Sequence, residues 1–141
     1  MSEVLRFQFT VDGENFSSAG EASMTMKKKL RQLGFSPEVM QRVAIAMYEG
    51  EINMVIHANG GTADVAVSDE EIEIVLTDTG PGIPDVSLAM QEGFSTASDN
   101  VRALGFGAGM GLPNMKNYTD FMQIDTEVGV GTKVTMKVRV K

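Results

Sequence analysis

Glu49-Gly50-Glu51-Ile52-Asn53 stands in a stretch where Val39, Met40, Val43, Ala46 and Met47 recur at helical spacing. On a helix, residues four apart share a face, so the Glu49 carboxylate lies beside the Asn53 carboxamide. Gly50 sits between them, where glycine costs about 1 kcal/mol relative to alanine. A helix keeps such a residue more readily where something must pack close against it. Read alone, the group also fits a surface glutamate, a satisfied asparagine and a chance glycine.

Upstream, Ser36-Pro37-Glu38 has the order of a cap, a first-turn proline and an acid near the positive helix end, so this helix should run to about residue 57. Asn59-Gly60-Gly61 then releases the chain. Before it, Leu5, Phe7, Phe9 and Val11 alternate with polar residues and predict a half-buried strand ending at Asp12-Gly13. A first helix is expected over about 16–33, stopped by Gly34. Beyond the central helix, strands are expected over about 63–67 and 72–77, joined by the turn Ser68-Asp69-Glu70-Glu71. Regular patterns weaken from 80 to 111, a length typical of lids, binding loops or disorder. A short helix is expected near 114–119, a strand near 122–126, and after Gly129-Val130-Gly131 a last strand. There Thr132, Val134, Met136, Val138 and Val140 alternate with Lys133, Thr135, Lys137 and Arg139. No repeat or linker interrupts this order. It predicts a two-layer α/β sandwich: a mixed, mostly antiparallel sheet with helices on one face.

The chain of 141 residues suits one domain, and 43% hydrophobic residues suffice for a core. No apolar run approaches the roughly 20 residues that span a bilayer. Met1-Ser2-Glu3 leads into no basic and apolar run, so a secretory signal is not expected. Zero cysteines exclude disulfides and thiolate metal sites and fit a cytoplasmic protein. A net charge of −7 argues against nucleic acid as the main partner. Lys27-Lys28-Lys29 with Arg31 reads as a solvated helix face, and the eleven methionines as core filler.

Two glycine-rich segments follow the acid–amide pair. Asp78-Thr79-Gly80-Pro81-Gly82-Ile83-Pro84 ends a hydrophobic strand, so the Asp78 carboxylate emerges at the sheet edge as an acceptor for an amino group such as that of adenine. Gly80 and Gly82 permit tight turns and leave room for a flat base, although an ordinary Gly-Pro turn has the same composition. Gly105-Phe106-Gly107-Ala108-Gly109-Met110-Gly111-Leu112 precedes the short helix, and backbone N–H groups in such a loop make an anion site. It is neither a P-loop nor a Rossmann turn, and alone it is a weak signal. The three elements in this order are far more specific, and describe a nucleotide site with a metal and a base.

With these residues the chain resembles the GHKL ATPase superfamily, whose nucleotide-binding core is the Bergerat fold. Within it the chain looks most like bacterial anti-sigma-factor and switch-protein serine kinases. The resemblance rests on Glu49 to Asn53, Asp78 to Asp85, Gly93-Phe94-Ser95-Thr96, Gly107 to Pro113 and Gly131-Thr132, and covers nearly the whole chain. It implies that Asn53 coordinates Mg²⁺ on the phosphates of ATP and that Glu49 is the general base. It implies that Asp78 reads the adenine amino group, Gly80 and Gly82 line the base, and Thr132 assists through its hydroxyl or a water. Gly105, Gly107, Gly109, Gly111 and Leu112 would hold phosphates under a lid of about 85–111. Glu51 should point away from this face and into solvent. His57 and Lys116 each fit either a place near the phosphates or a plain structural or solvated role.

The resemblance implies an ATP-dependent protein serine/threonine kinase acting on a STAS-type (sulfate-transporter/anti-sigma-antagonist) protein in a partner-switching pathway. The alternative is a nucleotide-dependent anti-sigma factor that binds a sigma factor with little or no kinase activity. A detached histidine-kinase catalytic domain ranks last, because the single histidine lies in the central helix. Apolar residues of the first strand and helix suit a homodimer face and a core equally.

Overall fold

A computed structural model of the chain describes residues 4–13, 20–58, 60–83, 86, 90 and 111–140. The alternating segments build one five-stranded sheet from β1 (Leu5–Asp12), β2 (Gly60–Val67), β3 (Glu71–Asp78), β4 (Phe121–Glu127) and β5 (Gly131–Arg139). Their order is β1-β2-β3-β5-β4, and each neighbouring pair is antiparallel. Register puts like with like: Phe7 faces Val65, Ile74 faces Met136, and Leu76 and Ile124 both face Val134. The opposite face is polar, with Gln8 Nε2 donating to Asp64 Oδ1 at 2.9 Å and Lys137 within 4.0 Å of Glu73. One covered face and one wet face is the usual solution for an antiparallel sheet.

The helices α1 (Glu21–Gln32), α2 (Pro37–Ala58) and α3 (Gly111–Asn117) supply the cover. Gly34 takes φ +85°, which turns the chain so that its N–H donates to Arg31 O and the Phe35 N–H to Leu30 O, both at 3.1 Å. These bonds satisfy two of the carbonyls a helix end leaves open. Ser36 Oγ accepts the Val39 N–H at 3.3 Å, capping α2 as its sequence promised. Val39, Met40, Val43, Ala46 and Met47 of α2 are buried in one cluster with Ile72, Ile74, Leu76 and Val138 of the sheet. Met26, Met40, Met47, Met54, Met115 and Met136 are core residues, while Lys27, Lys28, Lys29 and Arg31 are exposed. Phe7, Phe9 and Val11 pack on this core too, leaving Val4 and Leu5 as the exposed apolar end of β1.

Gly50 does have something packed close against it, the sheet: a methyl there would run into the Leu76 side chain. Two expectations change. The short helix starts at Gly111, not near 114, because Pro113 falls in the first turn, where no N–H is needed. Glu51 is not solvent-exposed but 2% accessible. It does point away from Glu49, and the N-terminus of α1 lies in that direction. Oε2 accepts the N–H groups of Gly20 and Ala22 at 2.8 and 3.3 Å, and Oε1 that of Ser23 at 2.7 Å. Gly20 brings α1 no capping side chain of its own, so a carboxylate from α2 does that work.

Candidate functional site

Glu49 and Asn53 are half-buried on the α2 face that meets α3. Asn114 Nδ2 donates to Glu49 Oε1 at 3.4 Å, and Asn53 Nδ2 reaches Met115 Sδ at 3.8 Å. The acid and the amide therefore do share one side, and consecutive residues of α3 touch both. Burial raises the Glu49 carboxyl above its ordinary value, and the Asn114 N–H pulls it partly back. A carboxylate moved toward neutrality is a better proton acceptor than a free one. Asn53, by giving its N–H to sulfur, leaves Oδ1 for another partner.

A second cluster forms where β3 ends. Asp78 Oδ1 accepts the Gly80 N–H at 2.9 Å and the Thr132 N–H at 3.2 Å. Both bonds use the same oxygen, so Oδ2 is left to an incoming donor. Gly82 takes φ +79°, and a Cβ there would press on the Glu127–Val128 backbone. The turn is thus held against the β4–β5 hairpin. Thr126 ties these parts together: its hydroxyl oxygen accepts the Ile83 N–H at 2.9 Å and lies 2.9 Å from Thr132 Oγ1.

The two clusters share one helix. Gly80 packs on Ala58, the last residue of α2, where a Cβ would come within 2.6 Å of the alanine methyl carbon. From Glu49 to Ala58 the helix rises about 13 Å at 1.5 Å per residue. A nucleoside triphosphate extended along α2 can therefore place its base at the Asp78 corner and its terminal phosphate near Glu49.

The sequence pattern of histidine kinase-, DNA gyrase B- and HSP90-like ATPases matches residues 41–141. The chain belongs to this ATPase family. It is 32% identical over 108 residues to serine/threonine-protein kinase RsbT of Bacillus subtilis, covering 74% of this chain and 75% of the relative. It is 28% identical over 138 residues to anti-sigma F factor of Clostridium acetobutylicum, covering 94% and 91%. Among solved structures, the RsbU and RsbW domains of Rv1364c from Mycobacterium tuberculosis align with TM-score 0.65 at 15% identity, over 96% of this chain and 32% of that one. The mycobacterial sensor histidine kinase MprB aligns with TM-score 0.54 at 17% identity, over 96% and 97%. These two structures share the fold. The GHKL resemblance and the two-layer Bergerat-type architecture both hold.

Within this ATPase fold, Glu49, Asn53, Asp78, Gly80, Gly82 and Thr132 fall into the two clusters on α2. Gly111 and Leu112 open α3, Leu112 packing on the core. Gly105, Gly107 and Gly109 and most of the lid, including Gly93 to Thr96, lie outside the described residues. His57 is half-buried one turn beyond Asn53, where burial pushes its imidazole below the usual value. Lys116 is exposed.

The donor set fits a hard cation held mainly by phosphates. Among the described residues no three His, Cys, Asp or Glu side chains converge on a metal site. One amide oxygen is enough where Mg²⁺ keeps its waters and substrate oxygens.

Three polar residues, Glu51, Asn114 and Thr126, were given no site role from sequence. Thr126 did leave a signal: with Met122 and Ile124 it occupies the inward positions of β4, where a hydroxyl needs a reason. Asn114 left none, since an asparagine in a short helix is ordinary.

Proposed function

We propose that this chain is an ATP-dependent protein serine/threonine kinase that phosphorylates a hydroxyl of a STAS-type antagonist protein in a partner-switching pathway, in the cytoplasm. The observation that carries this reading is Glu49, half-buried, held by Asn114 and facing the same way as Asn53. A bare nucleotide-binding module has no need of a half-buried carboxylate with a raised pKa beside an amide suited to a metal.

Glu49 takes the proton from the attacking hydroxyl; that oxygen bonds the γ-phosphorus as the bond to the β-γ bridging oxygen breaks, and ADP leaves. Asn53 Oδ1 would hold Mg²⁺, which would supply charge neutralisation at the phosphates. Asp78 and Thr132 place the base, with Gly80 and Gly82 beside it. Gly105, Gly107, Gly109, Gly111 and Leu112 offer backbone at the phosphates. Positioning and charge neutralisation are most of what phosphoryl transfer asks of a protein.

Incubation with ATP, Mg²⁺ and candidate STAS domains, followed by mass spectrometry, tests this. Wild-type protein should modify one serine or threonine, and Glu49→Ala should abolish transfer while still binding ATP. Full transfer by Glu49→Ala would remove the base from the mechanism.

The relatives named anti-sigma F factor favour a second role, capture of a sigma factor under nucleotide control. Pull-downs repeated with ATP and with ADP separate the two roles. Retention of no sigma factor under either nucleotide contradicts the binding role. Among the described residues no helix is long and apolar enough to cross a membrane.

A further inference from the structure

The outer surface of α1 and α2 beside Glu49 carries charge and apolar area that the fold does not use. Successive residues of a helix turn by about 100°, so the positions of α2 can be laid around its axis from two fixed points. Glu49 faces α3 through Asn114, and Glu51 faces α1 through Gly20 and Ser23. Of the two arcs between them, one holds Val43, Met47 and Met54 and lies on the core. The other holds Gln41, Ile45, Tyr48 and Ile52 and looks outward. Ile52 is 6% exposed, but Ile45 is half-buried and Tyr48 is 41% exposed, so the open part of this arc runs from Gln41 to Tyr48.

The first helix continues this surface. A Cβ on Gly20 would come within 3.0 Å of the Tyr48 ring, so that ring lies across the start of α1. Ser23, Lys27 and Arg31 follow at steps of four, which puts the two cations on the edge of α1 that meets α2. Met24, 59% exposed, and Lys28 form the next row outward. Among the described residues the ion pairs use Arg42 and Lys137, and Lys27, Lys28 and Arg31 enter none of them. These three cations stand together on a chain whose net charge is −7, beside an exposed methionine and tyrosine.

We propose that this face docks the phosphoacceptor protein, with apolar contact at Met24, Ile45 and Tyr48 and acidic side chains of the partner on Lys27, Lys28 and Arg31. The proposal rests on the kinase reading given above. An acceptor hydroxyl has to come within about 3 Å of the Glu49 carboxylate. The third helix and the core take up two sides of Glu49, and the outward arc of α2 borders it on another. A protein that delivers the hydroxyl covers roughly 800 Å². Packed helices lie about 10 Å apart, so a footprint of that size reaches from Glu49 across α2 to the cationic edge of α1. The charge there selects the partner: a basic rim repels a basic surface and steers an acidic one into place.

The test is steady-state phosphotransfer by the full chain to a STAS domain that the wild-type protein modifies, with initial rates measured against acceptor and against ATP. Lys27→Glu, Lys28→Glu and Arg31→Glu together should raise KM for the acceptor about tenfold, since each exposed pair contributes at most a few-fold. The kcat and the affinity for ATP should stay unchanged. Added salt should raise the acceptor KM of wild type far more than that of the triple variant. Met24→Ser should raise the acceptor KM alone, and Lys29→Glu, on the flank of α1 turned away from α2, should behave as wild type. Should the triple variant melt early, Lys28→Glu with the salt series serves in its place. An unchanged acceptor KM in the folded variants, or a fall in kcat at constant KM, overturns the proposal. Unchanged KM together with lost binding to RNA or to phosphatidylglycerol vesicles gives the face to another occupant and overturns it too. Wild-type protein that binds ATP but modifies no STAS domain also overturns it, and that outcome, unlike the others, takes the kinase reading with it.

Discussion

Replacing Glu51 by alanine tests the most unexpected contact in the fold. The carboxylate is 2% exposed and accepts three backbone N–H groups at the start of α1, from Gly20, Ala22 and Ser23, at 2.7 to 3.3 Å. A typical hydrogen bond contributes about 1 kcal/mol net, and one to a charged group about twice that. Burial works the other way, pushing the carboxyl up while the Ser23 and Gly20 bonds pull it down. Taking about 1 kcal/mol per bond, Glu51→Ala should cost about 3 kcal/mol. With roughly 0.3 kcal/mol/K of unfolding entropy for a chain of this length, the loss in Tm is about 10 °C. Thermal melts and urea titrations read the global cost. Amide hydrogen exchange reads the local one: Gly20, Ala22 and Ser23 should lose protection while the middle of α2 keeps it. Glu51→Gln, which retains an acceptor for part of the set, should fall between. A Tm within about 2 °C of wild type, with those three amides still protected, would refute the idea that α2 holds the start of α1.

Asn114→Leu removes the N–H that offsets burial at Glu49. The carboxyl then titrates higher, and because a base must be ionised, the acidic limb of phosphotransfer should move to higher pH with ATP affinity unchanged; a profile superimposable on wild type contradicts the contact. Gly50→Ala places a methyl against Leu76. Overpacking of about 1–3 kcal/mol, less about 1 kcal/mol of helix propensity gained, leaves a net loss of about 0–2 kcal/mol in urea unfolding. A stabilised Gly50→Ala would show that the helix has room there.

The elements were legible because their signals are local. Ser36 caps α2 and Gly34 stops α1 through bonds within a few residues, and the β5 alternation fixes its buried face without outside help. The acid–amide pair was legible because a spacing of four leaves one geometric answer. Glu51 was misread for the complementary reason. Its spacing tells which way it points, but its partners are 28 to 31 residues earlier in the chain, and only the packing of α1 on α2 brings them near. Gly50 was read as leaving room for something pressed against the helix, and the sheet turned out to be that something. Asn114 gains its place at Glu49 only when α3 docks on α2, an arrangement no periodicity encodes.

Asp78→Asn, followed by calorimetric titration with ATP and Mg²⁺, tests the nucleotide site most directly. Asparagine can keep the Gly80 and Thr132 N–H bonds on its remaining oxygen, so the turn survives. Its amide nitrogen then replaces Oδ2 and faces the adenine amine, donor against donor, a mismatch of about 2–3 kcal/mol. Wild-type protein should bind one ATP, and the variant should bind it on the order of a hundredfold more weakly with an unchanged melting curve. No heat with wild type, or equal affinity in the two proteins, would contradict an adenine at this corner.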